Sequence, residues 1–151
     1  MINAKAVNHI GIAVRSIADH HEYYEKTLGA EFESIEFVSS QKVKVAFFRM
    51  GSLRLELLEP TSPDSPISRF LDKRGEGLHH IAFSVDDIDA RLAELQAGRV
   101  RLIDDHPRPG AHHMQVAFLH PASTGGVLTE LCEPAVGGEP CGCEARSGAC
   151  P

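Results

Sequence analysis

The chain writes one strand ending twice. Residues 55–60 read LELLEP and residues 129–134 read TELCEP, so an E-L-x-E-P core recurs, carrying Glu56 onto Glu130 at an offset of 74. A second echo sets NHIGIAVRSI (8–17) against HHIAFSVDDI (79–88) and pairs His9 with His80 at an offset of 71. Self-similarity of this kind marks duplicated supersecondary units that bury their apolar faces against one another. Each copy reads as a period-2 strand, an amphipathic helix and then further strand-like runs, in the order β, α, β, β, β. The expectation is an α+β fold of tandem βαβββ modules in a single domain over 1–136. Module one covers about 5–60, a linker 61–76, and module two about 77–134.

In the first copy the spacing predicts a strand over Val7–Val14 and a helix over Ile17–Leu28, with Ile17, Tyr24 and Leu28 on one face and Gly29 as its stop. Strands follow over Glu31–Val38, Val43–Met50 and Leu53–Glu59. The linker carries a short helix of its own, with Ser65 as N-cap, Pro66 at the first helical position and Gly75 past the end. In the second copy a strand over Leu78–Val85 leads to a helix capped by Asp86 that buries Ile88, Leu92 and Leu95 and stops at Gly98. Later strands are predicted over Val100–Ile103, Gln115–Leu119 and Val127–Cys132.

Strand alternation sorts the side chains of the repeated motif. Ile10, Ile12 and Val14 share one face and His9 the other, with Gly11 and Ala13; in the copy, Ile81, Phe83 and Val85 oppose His80, Ala82 and Ser84. Each histidine therefore stands on a face of small residues with room for a ligand. Glu56 and Glu130 project away from apolar neighbours, and a buried carboxylate is costly unless it is paired or bound to a metal. Two imidazoles and two carboxylates brought together by pseudo-twofold packing suit a divalent first-row ion: His9, Glu56, His80 and Glu130 are the candidate ligands for Co, Mn, Ni or Zn. The other histidines are read as residues of helix faces or loops, among them His79, with His112 and His120 kept as candidates for the rim of the pocket.

Composition narrows the partners. Lys plus Arg number 15 against 21 acidic residues, a net charge of −6 with no basic cluster, which argues against nucleic acid. No apolar run approaches a membrane span, and the polar start has no signal-peptide core; a cytoplasmic protein is expected. Of four cysteines, Cys132 falls in a strand, while Cys141, Cys143 and Cys150 crowd the Cys/Gly-rich stretch over 137–151, read as a flexible tail. Its C-x-C-x6-C spacing lacks the C-x2-C pairs of a zinc ribbon.

The doubled module with NHIGIAV, GEGLHHIAFSVDDIDA and GGVLTEL resembles the vicinal oxygen chelate superfamily, the group of glyoxalases, bleomycin resistance proteins and dioxygenases. Within it, ELLEPTSPDSPISRFL (56–71), GEGLHHIAFSVDD (75–87), PGAHH (109–113) and FLHPASTGGVLTELCEP (118–134) are similar to the methylmalonyl-CoA epimerase family. The resemblance implies a curved mixed sheet around a metal site, with His9, His80 and Glu130 as ligands and position 56 as fourth member. It also implies a homodimer and an acyl-CoA substrate epimerised at C2 through an enolate, with Glu130 and Glu56 as proton carriers.

Two departures stand out. Some family members have Gln in place of Glu56 and a second glutamate near Val45, so Glu56 is expected to act as base as well. Ala122 stands where a Lys often follows His-Pro. Arg108 and Lys73 are read first as solvated surface charges and second as contacts for coenzyme A. The rival readings are a glyoxalase I type isomerase, against which HPASTGG replaces a DPDGY-like turn, and a metal-free binding protein of the same fold.

Overall fold

The computed structural model describes residues 1–135; the cysteine-rich stretch with Cys141, Cys143 and Cys150 lies outside them. Module one runs β1 (Ala6–Ala13), α1 (Ile17–Glu22), β2 (Glu31–Val38), β3 (Val43–Met50) and β4 (Leu53–Pro60). Helix α2 (Pro66–Arg74) links it to β5 (Gly77–Ser84), α3 (Ile88–Ala97), β6 (Arg108–Pro109), β7 (Met114–Leu119) and β8 (Thr129–Pro134). All eight strands join one curled mixed sheet in the order β2-β3-β4-β1-β5-β8-β7-β6. The order reads the same from both ends under exchange of modules. β1 and β5 meet antiparallel at the centre, and each is flanked by a parallel partner, β4 or β8. This is the vicinal oxygen chelate fold that the resemblance implies, built from the tandem βαβββ modules expected from the repeat.

Alternation decides which face each residue joins. Ile10, Ile12, Val14, Leu55 and Leu57 pack with Ile17, Tyr24 and Phe48 on the helix side of module one. Val85, Ile88, Leu92, Ala117 and Leu131 form the matching cluster in module two. On the opposite, concave face Ala13, Val43, Val45, Phe47 and Leu58 pack with Ile67 and Leu71 of α2. The linker helix starts as its sequence indicates, with Ser65 Oγ accepting from the Ile67 amide at 3.2 Å and Pro66 opening the first turn.

Four local readings are corrected. The first helix does not run regularly to Leu28: residues Tyr23–Thr27 widen into a π turn, closed by Leu28 N–H on Tyr23 O, and Leu28 is exposed. The N-cap of α3 is Asp87, not Asp86; Asp87 adopts a left-handed conformation from which its carboxylate reaches the Ala90 amide, while Asp86 pairs with Lys5. Leu95 is only partly buried. Residues 100–103 form no strand; Leu102 makes a single bridge to Leu119, and the edge strand is reduced to the two residues of β6. Pro107 and Pro109 lack the amide hydrogens a longer edge ladder would use. Among the described residues no helix is long and apolar enough to cross a membrane.

Candidate metal centre

The central four strands bring the repeated motifs into two rows. Across β4, β1 and β5, Glu56 lies beside Gly11 and Gly11 beside His80; across β1, β5 and β8, His9 lies beside Ala82 and Ala82 beside Glu130. Each row is a carboxylate, a small residue and an imidazole, and the pseudo-twofold exchanges one row for the other. All four polar side chains are buried: His9 is 6% exposed, Glu56 7%, His80 4% and Glu130 5%. His9 Nε2 and His80 Nε2 approach to 3.0 Å. The Glu130 carboxylate lies 3.6 Å from the first and 3.4 Å from the second. Glu56 reaches the other edge of the same ring, 3.4 Å from His9 Nδ1.

These groups line a cavity of about 520 Å³, within the range of small-molecule sites. Asn8, His79, Arg54, Arg69 and Arg108 line it too, as do Val45 and His112. Lys73 and His120 are not among its lining residues; His120 instead caps the turn at Pro121–Ser123, its Nδ1 accepting from the Ala122 amide at 3.1 Å. His79 is neither on a helix face nor in a loop but on β5. The signal that finds it is positional: Asn8 and His79 precede His9 and His80 at the repeat's own offset of 71.

Burial dominates the electrostatics. It pushes the Glu56 carboxyl up to about 8 and, reinforced by the Glu56 charge, holds Glu130 well above the ordinary carboxylate range. The same desolvation brings His9 down to about 3 and His80 well below the usual imidazole value. Four titratable groups are thus driven to their neutral forms by removal from water, which a bound cation reverses for the carboxylates. Two imidazole nitrogens with two carboxylates fit a divalent first-row ion. Cys132 Sγ forms a second buried grouping with His9 and Glu130; burial pushes its thiol up to about 12, and a bound cation would favour its thiolate.

Capture of a dication requires the carboxyl protons to leave. Glu56 is protonated below about 8, so zinc affinity is expected to rise with pH toward that value, by up to ~10-fold per pH unit for each proton released. His9, neutral above about 3, adds nothing to that slope. Calorimetric titration in buffers of different ionisation enthalpy measures the protons released; affinity that is flat with pH contradicts this picture.

Gly11 is required by the packing of the rows. A Cβ there meets His80 Cε1 at 2.2 Å and Nδ1 at 2.5 Å. Gly11→Ala is expected to displace the His80 ring and weaken metal binding by on the order of 10-fold or more. The cost to folding is the ~1–3 kcal/mol of an overpacked site. Metal titration set beside thermal melting separates the two effects.

Comparison with known proteins agrees with this geometry. A family model described as the glyoxalase/bleomycin resistance protein/dioxygenase superfamily matches residues 8–118, and the chain belongs to that superfamily. Its relatives within the superfamily include methylmalonyl-CoA epimerases. It is 38% identical over 130 residues to the mitochondrial methylmalonyl-CoA epimerase of Homo sapiens, covering 85% of this chain and 74% of that protein. A solved structure of methylmalonyl-CoA epimerase in complex with methylmalonyl-CoA and NH4+ matches with a TM-score of 0.84 at 38% identity, over 91% of this chain and 100% of that one. The uncharacterized protein YqjC of Bacillus subtilis is 52% identical over 128 residues, 85% of this chain and 91% of YqjC.

Proposed function

We propose that this chain is a metal-dependent methylmalonyl-CoA epimerase that inverts C2 through an enolate, with His9, His80, Glu130 and Glu56 holding the divalent ion. The observation that carries this reading is the meeting of two buried imidazoles and two buried carboxylates in one cavity on the pseudo-twofold. Similarity to enzymes named for the reaction supports methylmalonyl-CoA as the substrate. When bound, the ion contributes Lewis-acid stabilisation of the negative charge that develops on the thioester oxygen.

The protein's own groups move the proton. The C2 hydrogen lies between a thioester and a carboxylate, and epimerisation exchanges it on both faces of the planar carbon. Glu130 accepts the proton on one face. Glu56, which meets the Nδ1 edge of His9 while Glu130 meets its Nε2, delivers one to the other. Arg69, whose guanidinium donates to Asp64 O at 3.2 Å, has no carboxylate partner among the described residues and is available to an anionic acyl-CoA. Arg54 and Arg108 are already paired, with Glu33 and Asp104. A homodimer in the cytoplasm completes the proposal.

A mutase that consumes one epimer of methylmalonyl-CoA halts at half of a racemic mixture. Adding this protein with cobalt is expected to carry consumption to completion. Consumption that still halts at half contradicts the epimerase reading, and glutathione hemithioacetals then test the glyoxalase alternative.

A further inference from the structure

The ladder between β1 and β5 is interrupted twice, at matched places. Val7 pairs with Phe83 and His9 with Ala82, which makes Asn8 an extra residue on β1. Gly11 pairs with His80 and Ile12 with Leu78, which makes His79 an extra residue on β5. A β-bulge leaves one residue unpaired and re-aims its side chain. Regular alternation would send Asn8 and His79 to the face opposite their neighbours, yet both line the same cavity as His9 and His80.

The two bulged side chains do equivalent things. Asn8 Oδ1 lies 3.0 Å from His9 Nδ1, and His79 Nδ1 lies 2.9 Å from His80 Nδ1. The Asn8 amide is oriented by its own Nδ2, which donates to Ser84 Oγ at 3.0 Å. Its oxygen can only accept, so the hydrogen between Asn8 and His9 belongs to His9 Nδ1. Glu56 Oε1, at 3.4 Å from that nitrogen, is the more distant acceptor. The His79 ring is held edge-on against Phe70 with centroids 4.9 Å apart, which fixes the Nδ1 edge that meets His80. With Nδ1 engaged on both rings, each turns its Nε2 toward the centre, where those two atoms converge.

We infer that Asn8 and His79 are positioning residues for the metal centre: two symmetric bulges place a side-chain acceptor on Nδ1 of each ligand histidine, so that both bind the ion through Nε2. The duplicated modules perform one task with different residues, an amide in the first and an imidazole in the second. This rests on the metal-binding part of the proposed function.

The test is zinc affinity, measured by competition with a chelator, together with nitrogen-15 spectra of histidine in the zinc-loaded protein. Asn8→Leu and His79→Leu are each expected to weaken zinc binding by about 10–100-fold. His79→Asn, which copies module one's own solution, is expected to return affinity to within a few-fold of the parent protein. Thermal melting of each variant separates this from unfolding. Spectra are expected to show Nε2 bound and Nδ1 protonated at both His9 and His80. Unchanged affinity in both leucine variants overturns the inference, as does Nδ1 coordination at either ring. Failure of His79→Asn to recover affinity overturns the acceptor role of His79. Failure of the parent protein itself to bind zinc, cobalt or manganese would instead overturn the metal centre on which the inference stands.

Discussion

Replacing either His9 or His80 with alanine is expected to remove tightly bound metal and turnover together. The two rings supply both nitrogen donors, and their Nε2 atoms approach to 3.0 Å, so loss of one leaves the ion a single imidazole and two carboxylates whose hold on a proton burial strengthens. Lewis-acid stabilisation is worth several kcal/mol, and about 4 kcal/mol corresponds to ~10³ in rate, the expected loss in kcat/KM. The fold should survive, because the core clusters lie on both sides of the centre and include neither ring. Elemental analysis and kinetics on the same preparations check this, with Cys141→Ser as the variant expected to change neither. Metal retained at full stoichiometry in both histidine variants contradicts the assignment of the centre.

Glu130→Gln and Glu56→Gln are expected to lower turnover by ~10²–10⁴ each, the usual worth of a positioned acid or base, but in distinguishable ways. Both amides keep an oxygen donor, so Glu56→Gln should retain the metal. The parent protein, started from a single epimer, is expected to exchange and invert C2. With one proton carrier removed, the remaining carboxylate still works one face, so one epimer should exchange its C2 hydrogen with solvent and keep its configuration. Exchange without inversion is the signature of two carriers on opposite sides. Unchanged turnover in Glu56→Gln would leave Glu130 or water as the proton carrier and remove Glu56 from that role.

The symmetry of the molecule is legible in the chain because it rests on period-2 alternation and on a repeat, both of which are one-dimensional. His9 against Gly11, and Glu56 between Leu55 and Leu57, already say which side chains share the concave face, and the structure sets them in adjacent rows. The linker helix is legible for a similar reason, since Ser65, Pro66 and Gly75 act locally. Features that depend on the partner strand are not. Asn8 and His79 are placed by bulges, which exist only in the pairing of β1 with β5. Alternation therefore assigns them to the wrong face, and His79 reads as an incidental neighbour of His80. Arg54 shares the Glu56 face by the same alternation, two residues earlier on β4, whereas Arg69 lines the cavity through the docking of α2, which has no period in the sequence. Residues 100–103 have the composition of a strand but lie between the turn after α3 and a proline-rich loop. Only Leu102 finds a partner there.

Enolisation at C2, assisted by an ion in the doubled His/Glu centre, is the step on which the proposed function rests. Proton NMR of methylmalonyl-CoA incubated with the protein in heavy water tests it directly, with and without a chelator. The expected result is loss of the C2 hydrogen signal, stopped by the chelator and restored by cobalt or manganese. A C2 signal that persists undiminished with the metal-loaded protein would contradict it.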